Sequence, residues 1–82
     1  MTTPEIIRTK VQQLAKDLGR NATGISDDDI LPETGVLDSA AIIELIVWVE
    51  AEFGIDIDQG DLSLENFGSI RRMTEYIHGR RS

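Results

Sequence analysis

Apolar residues recur at helical spacing near the start of the chain. Four of them, at intervals of four, three and four positions, share one face of a helix: Ile7, Val11, Leu14 and Leu18. Pro4 suits the first turn of this helix because its missing N–H is not needed there, and Gly19 can follow the last turn. The pattern predicts a first helix over residues 4–18.

A long stretch without a regular period separates this helix from the next one. Residues 19–37 contain Gly19, Gly24, Pro32 and Gly35, which predicts a long loop whose apolar residues pin it to the core. The helical period then returns, and its inward positions are Ile42, Leu45, Ile46, Val49 and Phe53. With Gly54 available to end it, a second helix is predicted from Ser39 to Phe53.

The remainder of the chain predicts two further helices. Leu62, Leu64 and Phe67 indicate a short helix near residues 61–66. Ser69 can cap a last helix, whose apolar positions are Ile70, Met73 and Ile77. We therefore expect an all-α fold, a small four-helix bundle of three main helices and one short helix, as a single domain over residues 1–82.

Composition limits the classes of function. At 82 residues, with 40% hydrophobic but only 5% aromatic residues, the chain predicts a small aliphatic core without room for a deep catalytic pocket. The longest apolar run, residues 45–49, is far shorter than the ~20 residues of a membrane span. With no cysteine and no visible secretory signal, we expect a cytoplasmic protein without disulfides.

Charge is distributed unevenly along the chain. The net charge is −7, and no Lys or Arg lies between Arg20 and Arg71. That segment contains the acids Asp27, Asp28, Asp29, Glu33, Asp38, Glu44, Glu50, Glu52, Asp56, Asp58, Asp61 and Glu65. Such a surface repels nucleic acid and favours basic protein partners, although it could equally serve only to keep the protein in solution.

The segment Gly35-Val36-Leu37-Asp38-Ser39 stands directly before the second predicted helix. Asp and Ser are both favoured N-caps, so capping alone could explain this pair. However, Ala41 and Ile42 occupy the positions where a capping box would need Glu or Gln. A functional interpretation is that Ser39 presents its hydroxyl at a helix N-terminus, where an attached phosphodiester would be stabilised.

The order of these features resembles the acyl carrier protein family. The resemblance runs from about Ile6 to Ile77 and rests on a first helix, a long loop, Gly-Val-Leu-Asp-Ser and a second helix ending in Glu-Phe-Gly. It implies that Ser39, preceded by Asp38, carries 4′-phosphopantetheine donated by coenzyme A. The family usually has Leu or Met where this chain has Ala40, which changes an apolar contact beside the arm but not the hydroxyl.

The resemblance also implies the partners. They are a phosphopantetheinyl transferase, an adenylating ligase or acyltransferase that loads the thiol of the arm, and downstream tailoring or condensing enzymes. The protein would then be a monomeric cosubstrate and not an enzyme.

The start of helix two is less acidic than in fatty-acid carriers, because it consists of Ala40, Ala41, Ile42 and Ile43. This favours an aminoacyl or specialised acyl load, as in D-alanyl carriers, over a fatty-acid or polyketide load.

Docking is expected on the second helix, near the serine. Helical spacing brings four residues close to Ser39 on successive turns, namely Ala40, Ile43, Glu44 and Val47. Ile43 and Val47 could instead belong to the core. Trp48 could anchor a partner or pack inside the protein.

Other sites have weaker support. His78 lies late in the last helix, where we expect it to interact with the helix dipole and not to act in catalysis. Asp56, Asp58 and Asp61 suggest a calcium-binding loop. However, such a loop needs Glu at its twelfth position, and the twelfth residue counted from Asp56 is Phe67. Asp27-Asp28-Asp29 is expected to be a solvated cap and not a metal site. The remaining alternative is an acidic helical adaptor that never receives phosphopantetheine.

Overall fold

The computed structural model describes residues 2–81, and the side chains of residues 2–80. Within this range the chain forms five α-helices and one 3₁₀ turn, and no strand. In chain order they are α1 (Thr3–Asp17), α2 (Leu31–Thr34), α3 (Ser39–Phe53), the 3₁₀ turn Gln59–Asp61, α4 (Leu64–Phe67) and α5 (Ile70–Arg81). The predicted all-helical bundle is confirmed, with the short helix α2 as an addition.

The long helices begin and end where the sequence predicts. The Thr2 hydroxyl accepts a hydrogen bond from the Glu5 N–H at 3.4 Å and caps α1. Gly54 ends α3 in the left-handed conformation, at φ 63°, which glycine adopts without strain. Ser69 caps α5, because its hydroxyl accepts from the Arg72 N–H at 3.1 Å.

Helix α2 lies inside the predicted loop. Pro32 stands in its first turn, and Gly35 ends it at φ 78°. The Leu31 N–H donates to the Gly68 carbonyl at 2.8 Å, so the start of α2 is tied to the junction between α4 and α5. Four residues are too few to show a helical period, which explains why the sequence pattern did not reveal this helix.

Two ion pairs fasten the first half of the loop to the bundle. The Arg8 guanidinium on α1 donates to the Ile25 carbonyl and to the Asp27 carboxylate. The Arg71 guanidinium on α5 pairs with Asp28. The long connection is therefore held against α1 and α5 on both sides.

One cluster of buried side chains joins the long helices, the loop and α4. Its apolar members are Ile7, Val11, Leu14, Ala15, Ala22, Leu31, Val36, Leu37, Ala41, Ile42, Leu45, Ile46, Val49, Ile55, Phe67, Ile70, Met73 and Ile77. The core is aliphatic apart from Phe67, as the composition predicts. The core residues of α3 lie on its inner side, whereas Ile43 and Val47 beside them are exposed.

Candidate functional site

Ser39 is the first residue of α3 and its side chain is exposed. The preceding residues Val36 and Leu37 are buried, which fixes the chain just before the helix. The Asp38 carboxylate accepts a hydrogen bond from the Ala41 N–H at 2.9 Å and is the N-cap. Since Asp38 does the capping, the Ser39 hydroxyl is left without a hydrogen-bond partner among the described residues.

Ser39 lies at the edge of an apolar groove with a volume of about 530 Å³. We call this the Ser39 groove. It is lined by Pro32, Ser39, Ile42, Ile43, Ile46, Val47, Glu50, Ile57, Leu62, Ser63, Leu64 and Phe67. One wall is therefore a face of α3, and the other is the segment 57–67.

The α3 wall is a helical stripe that starts at the serine. Ile43, Ile46 and Glu50 follow Ser39 at helical intervals, so they share its face of the helix. Ile43 remains 63% exposed and Val47 59% exposed, although both are large apolar side chains. They are therefore not core residues, and they form an exposed rim beside the hydroxyl.

The opposite wall is held in place by α5. The Tyr76 hydroxyl donates to the Asp61 carboxylate at 2.8 Å, and the Arg80 guanidinium donates to the Asp56 carbonyl at 2.9 Å. Burial, together with this hydrogen bond to Asp61, raises the pKa of Tyr76 above its ordinary value. Leu62 and Leu64 on this wall are about half exposed, at 49% and 50%, and continue the apolar rim.

Among the described residues, Glu50 is the only charged one that lines the Ser39 groove. Its carboxylate Oε2 accepts a hydrogen bond from the Ile57 N–H at 3.0 Å. This bond joins the far part of the α3 wall to the beginning of the opposite wall. The groove therefore has a hydroxyl at the start of α3 and a carboxylate near the end of α3.

The predicted docking residues divide into two surfaces. Ala40 and Glu44 are exposed on α3, next to the rim formed by Ile43 and Val47. Trp48 lies on another face of α3 and is not among the residues that line the groove. It lines a second hollow of about 480 Å³ with Ile6, Thr9, Lys10, Gln13 and Glu52.

Trp48 packs against the protein itself. The Lys10 ammonium lies 5.7 Å from the centre of its ring, and the Phe53 ring meets it edge-on at 6.0 Å. Ser39 and Trp48 are thus brought to different faces of α3.

The acidic segments form no metal cluster within the part of the chain that the structure describes. Asp27 and Asp28 pair with arginines, and Asp29 accepts from the Ser26 N–H at 2.9 Å. These three acids are therefore partnered loop residues. His78 is exposed, with its Nε2 3.4 Å from the Thr3 hydroxyl. None of the helices described is long and apolar enough to cross a bilayer.

Sequence reasoning did not find the second wall of the groove. Ser63 and Leu64 are distant from Ser39 in the chain. The segment around them is too short for its helical period to indicate that it lies opposite α3. In the sequence, Glu50 is one of many acids between Arg20 and Arg71. The signal available was its position, eleven residues after Ser39 on the same face of the predicted helix.

Known proteins resemble this chain in sequence. The sequence profile of the family described as "Phosphopantetheine attachment site" matches residues 11–77. An acyl carrier protein of Desulforapulum autotrophicum is 31% identical over 70 residues, covering 79% of this chain and 88% of that protein. A D-alanyl carrier protein of Enterococcus faecalis is 28% identical over 72 residues, covering 87% of this chain and 92% of that protein.

Proposed function

Because the chain belongs to the phosphopantetheine-binding family of carrier proteins, we propose that it is a carrier domain whose attachment residue is Ser39. Proteins of this family carry 4′-phosphopantetheine covalently on a serine, and the arm supplies a thiol for cargo. The observation that supports Ser39 most directly is its exposed hydroxyl, free of hydrogen bonds among the described residues, at the start of α3 and at the edge of an apolar groove.

The other described serines fit this role less well. Ser69 is only 2% exposed, and its hydroxyl is engaged in capping α5. Ser26 lies in the loop, and Ser63 precedes a helix of only one turn. Of the described serines, only Ser39 combines exposure with the N-terminus of a long helix, where a phosphodiester is favoured by the amide groups and the dipole.

The attachment reaction follows from this hydroxyl. Ser39 Oγ forms a bond to the phosphorus of coenzyme A that bears the pantetheine. The bond from that phosphorus to the bridging pyrophosphate oxygen breaks, and adenosine 3′,5′-bisphosphate leaves. The hydroxyl proton passes to a base of the transferase or to solvent.

The carrier itself contributes position and not catalysis. Asp38 fixes the first turn of α3, and the rim residues Ile43 and Val47 offer an apolar surface to the transferase. Ala40 and Glu44 extend this docking surface. The protein acts as a cosubstrate of the enzymes that load and use its arm, in the cytoplasm where coenzyme A is available to them.

The cargo that we favour is an aminoacyl or a specialised acyl group, loaded by an adenylating ligase or an acyltransferase. Support comes from the weakly acidic start of α3 and from the similarity to a D-alanyl carrier protein. A second candidate is a fatty-acid or polyketide chain, which the apolar lining of the groove favours. The two candidates are distinguished by offering the holo protein amino acids and fatty acids together with loading ligases. The increase in the intact mass of the protein then identifies the cargo that is attached.

Attachment is tested by intact mass after incubation with coenzyme A, magnesium and a broad-specificity phosphopantetheinyl transferase. The wild type gains one phosphopantetheinyl group, and Ser39→Ala gains none. Ser63→Ala is the matched control, because Ser63 is an exposed serine on the same groove, and it should be modified like the wild type. No gain on the folded wild type would contradict the proposal and favour a non-pantetheinylated adaptor.

A further inference from the structure

The two polar ends of the Ser39 groove are far apart along α3. Ser39 and Glu50 are separated by eleven positions on one helix, which corresponds to ~16 Å at 1.5 Å per residue. The phosphopantetheine arm has about as many chain atoms as five extended residues, so its reach is ~17 Å. A group tethered to Ser39 and lying in the groove can therefore reach the neighbourhood of Glu50.

Glu50 retains hydrogen-bonding capacity at that end. A carboxylate has about four acceptor positions on two oxygens. Within the described residues, Oε2 accepts from the Ile57 N–H, and no N–H or O–H group donates to Oε1. The groove residues nearest in sequence are the apolar Ile46, Val47 and Ile57, so the carboxylate borders a surface where charge interactions are less screened than in water.

No basic group among the lining residues competes for this carboxylate. The nearest acid of the same helix on the Trp48 side, Glu52, is exposed and lines the other hollow. A negative group at the far end of an otherwise apolar groove attracts a cationic cargo, accepts a neutral one and repels an anionic one.

We propose that Glu50 determines cargo specificity by binding the ammonium group of an aminoacyl cargo carried on Ser39. This rests on the proposed function, since it requires the arm to be on Ser39. The apolar walls then hold the side chain of the amino acid, and the Ile57 N–H keeps the carboxylate in place. Carboxyacyl cargo would be excluded from the groove by the same charge.

The test uses three cargoes that differ in one substituent. Stable amide analogues of coenzyme A bearing alanyl, isobutyryl or methylmalonyl groups present an ammonium, a methyl or a carboxylate on the same carbon. Each is transferred to the protein, and intact mass establishes that modification is complete. The backbone amide of Ile57, which donates to Glu50, is then followed by ¹⁵N NMR at about pH 6, where the α-ammonium is protonated.

Relative to the unloaded holo form, the alanyl form should shift the Ile57 amide resonance more than the isobutyryl form does, and the methylmalonyl form should leave it unchanged. Glu50→Gln keeps an acceptor for the Ile57 N–H but removes the charge, and should abolish the alanyl-specific shift. Glu52→Gln removes a charge on the other face of α3 and should leave the shift intact.

Equal shifts with alanyl and isobutyryl, or no shift with either, would overturn the role of Glu50. So would an alanyl-specific shift that persists in Glu50→Gln. A failure of the proposed function would appear earlier and differently, as absence of the mass gain for all three analogues.

Discussion

Asp38 and Ser39 divide two tasks at the start of α3. Either residue type can cap a helix, but here the carboxylate of Asp38 accepts from the Ala41 N–H, and the hydroxyl of Ser39 stays exposed. The sequence could identify the pair, and its resemblance to a known motif could assign the roles. Only the geometry shows that the Ser39 hydroxyl is not used for capping, because the Asp38 carboxylate already accepts from the Ala41 N–H.

Removing this cap should weaken the fold without removing the hydroxyl. We expect Asp38→Ala to lower the free energy of unfolding by about 1 kcal/mol, because the Ala41 N–H loses its acceptor. Urea unfolding followed by circular dichroism measures this. Asp38→Asn, which still caps, should stay within a few tenths of a kcal/mol of the wild type. Equal stability of Asp38→Ala and wild type would show that the cap contributes nothing.

Tyr76 makes stability depend on alkaline pH. Its pKa is raised in the folded protein, first by burial and then by the hydrogen bond to Asp61, with Asp58 acting in the same direction and Arg80 against it. The folded state therefore holds this proton more tightly than the unfolded state. The resulting stability is present in full below the ordinary tyrosine pKa of 10.0 and is lost as pH rises through the folded pKa.

We expect the urea midpoint of the wild type to fall more steeply above about pH 10 than that of Tyr76→Phe. The comparison isolates Tyr76, because the chain has no other tyrosine and all its lysines remain in both proteins. Unfolding series between pH 8 and 11 measure the difference. Parallel curves would mean that the proton is held equally in both states.

At the scale of the elements, the sequence predicts α1 and α3, but it does not predict the wall of the Ser39 groove formed by residues 57–67. Each long helix has a full apolar face and a glycine after it, so its bounds agree with the sequence to within a residue. Helix α2 and the 3₁₀ turn Gln59–Asp61 are too short for a period. Their positions depend on distant partners, such as the Gly68 carbonyl for α2 and Tyr76 for the turn.

Gly68 controls how α4 meets α5. A Cβ on this residue would lie 2.5 Å from the Leu64 carbonyl oxygen, which is backbone and cannot move aside cheaply. We expect Gly68→Ala to destabilise the protein by about 2 kcal/mol, since the junction must shift to relieve the contact. Thermal or urea unfolding measures the loss.

Gly60→Ala is the matched control for this effect. Gly60 is also near the groove wall, but a Cβ there would meet nothing within 4 Å. Its unfolding midpoint should stay close to that of the wild type. A similar loss in both variants would show that the close contact at Gly68 is not the cause.

At the scale of the whole molecule, we expect the negative charge to attract partners over a long distance and the Ser39 groove to contact them only at short range. The absence of Lys and Arg between Arg20 and Arg71 is a property of the sequence, and it predicts attraction of basic partners at a distance. The groove could not be predicted, because it forms where α3 meets residues 57–67, and nothing local in the chain specifies that meeting. We expect long-range steering to bring a partner close and the apolar rim then to provide the contact surface.

Salt should therefore slow the encounter with the transferase. We expect kcat/KM for phosphopantetheine transfer to fall about tenfold between ~0.05 and ~0.5 M NaCl. Glu44→Gln, next to the rim, should lower the low-salt value, whereas Glu5→Gln on α1 should leave it nearly unchanged. A rate that is independent of salt would contradict electrostatic steering.

Locating the modified residue tests the central claim most directly. Trypsin leaves Ser26, Ser39, Ser63 and Ser69 together on one peptide, because no Lys or Arg separates them. Cleavage before Asp38 and before Asp56 instead yields peptide 38–55, in which Ser39 is the only serine. Mass spectrometry of the digested holo protein should find phosphopantetheine on this peptide alone. Finding it on any other peptide would contradict the assignment of Ser39.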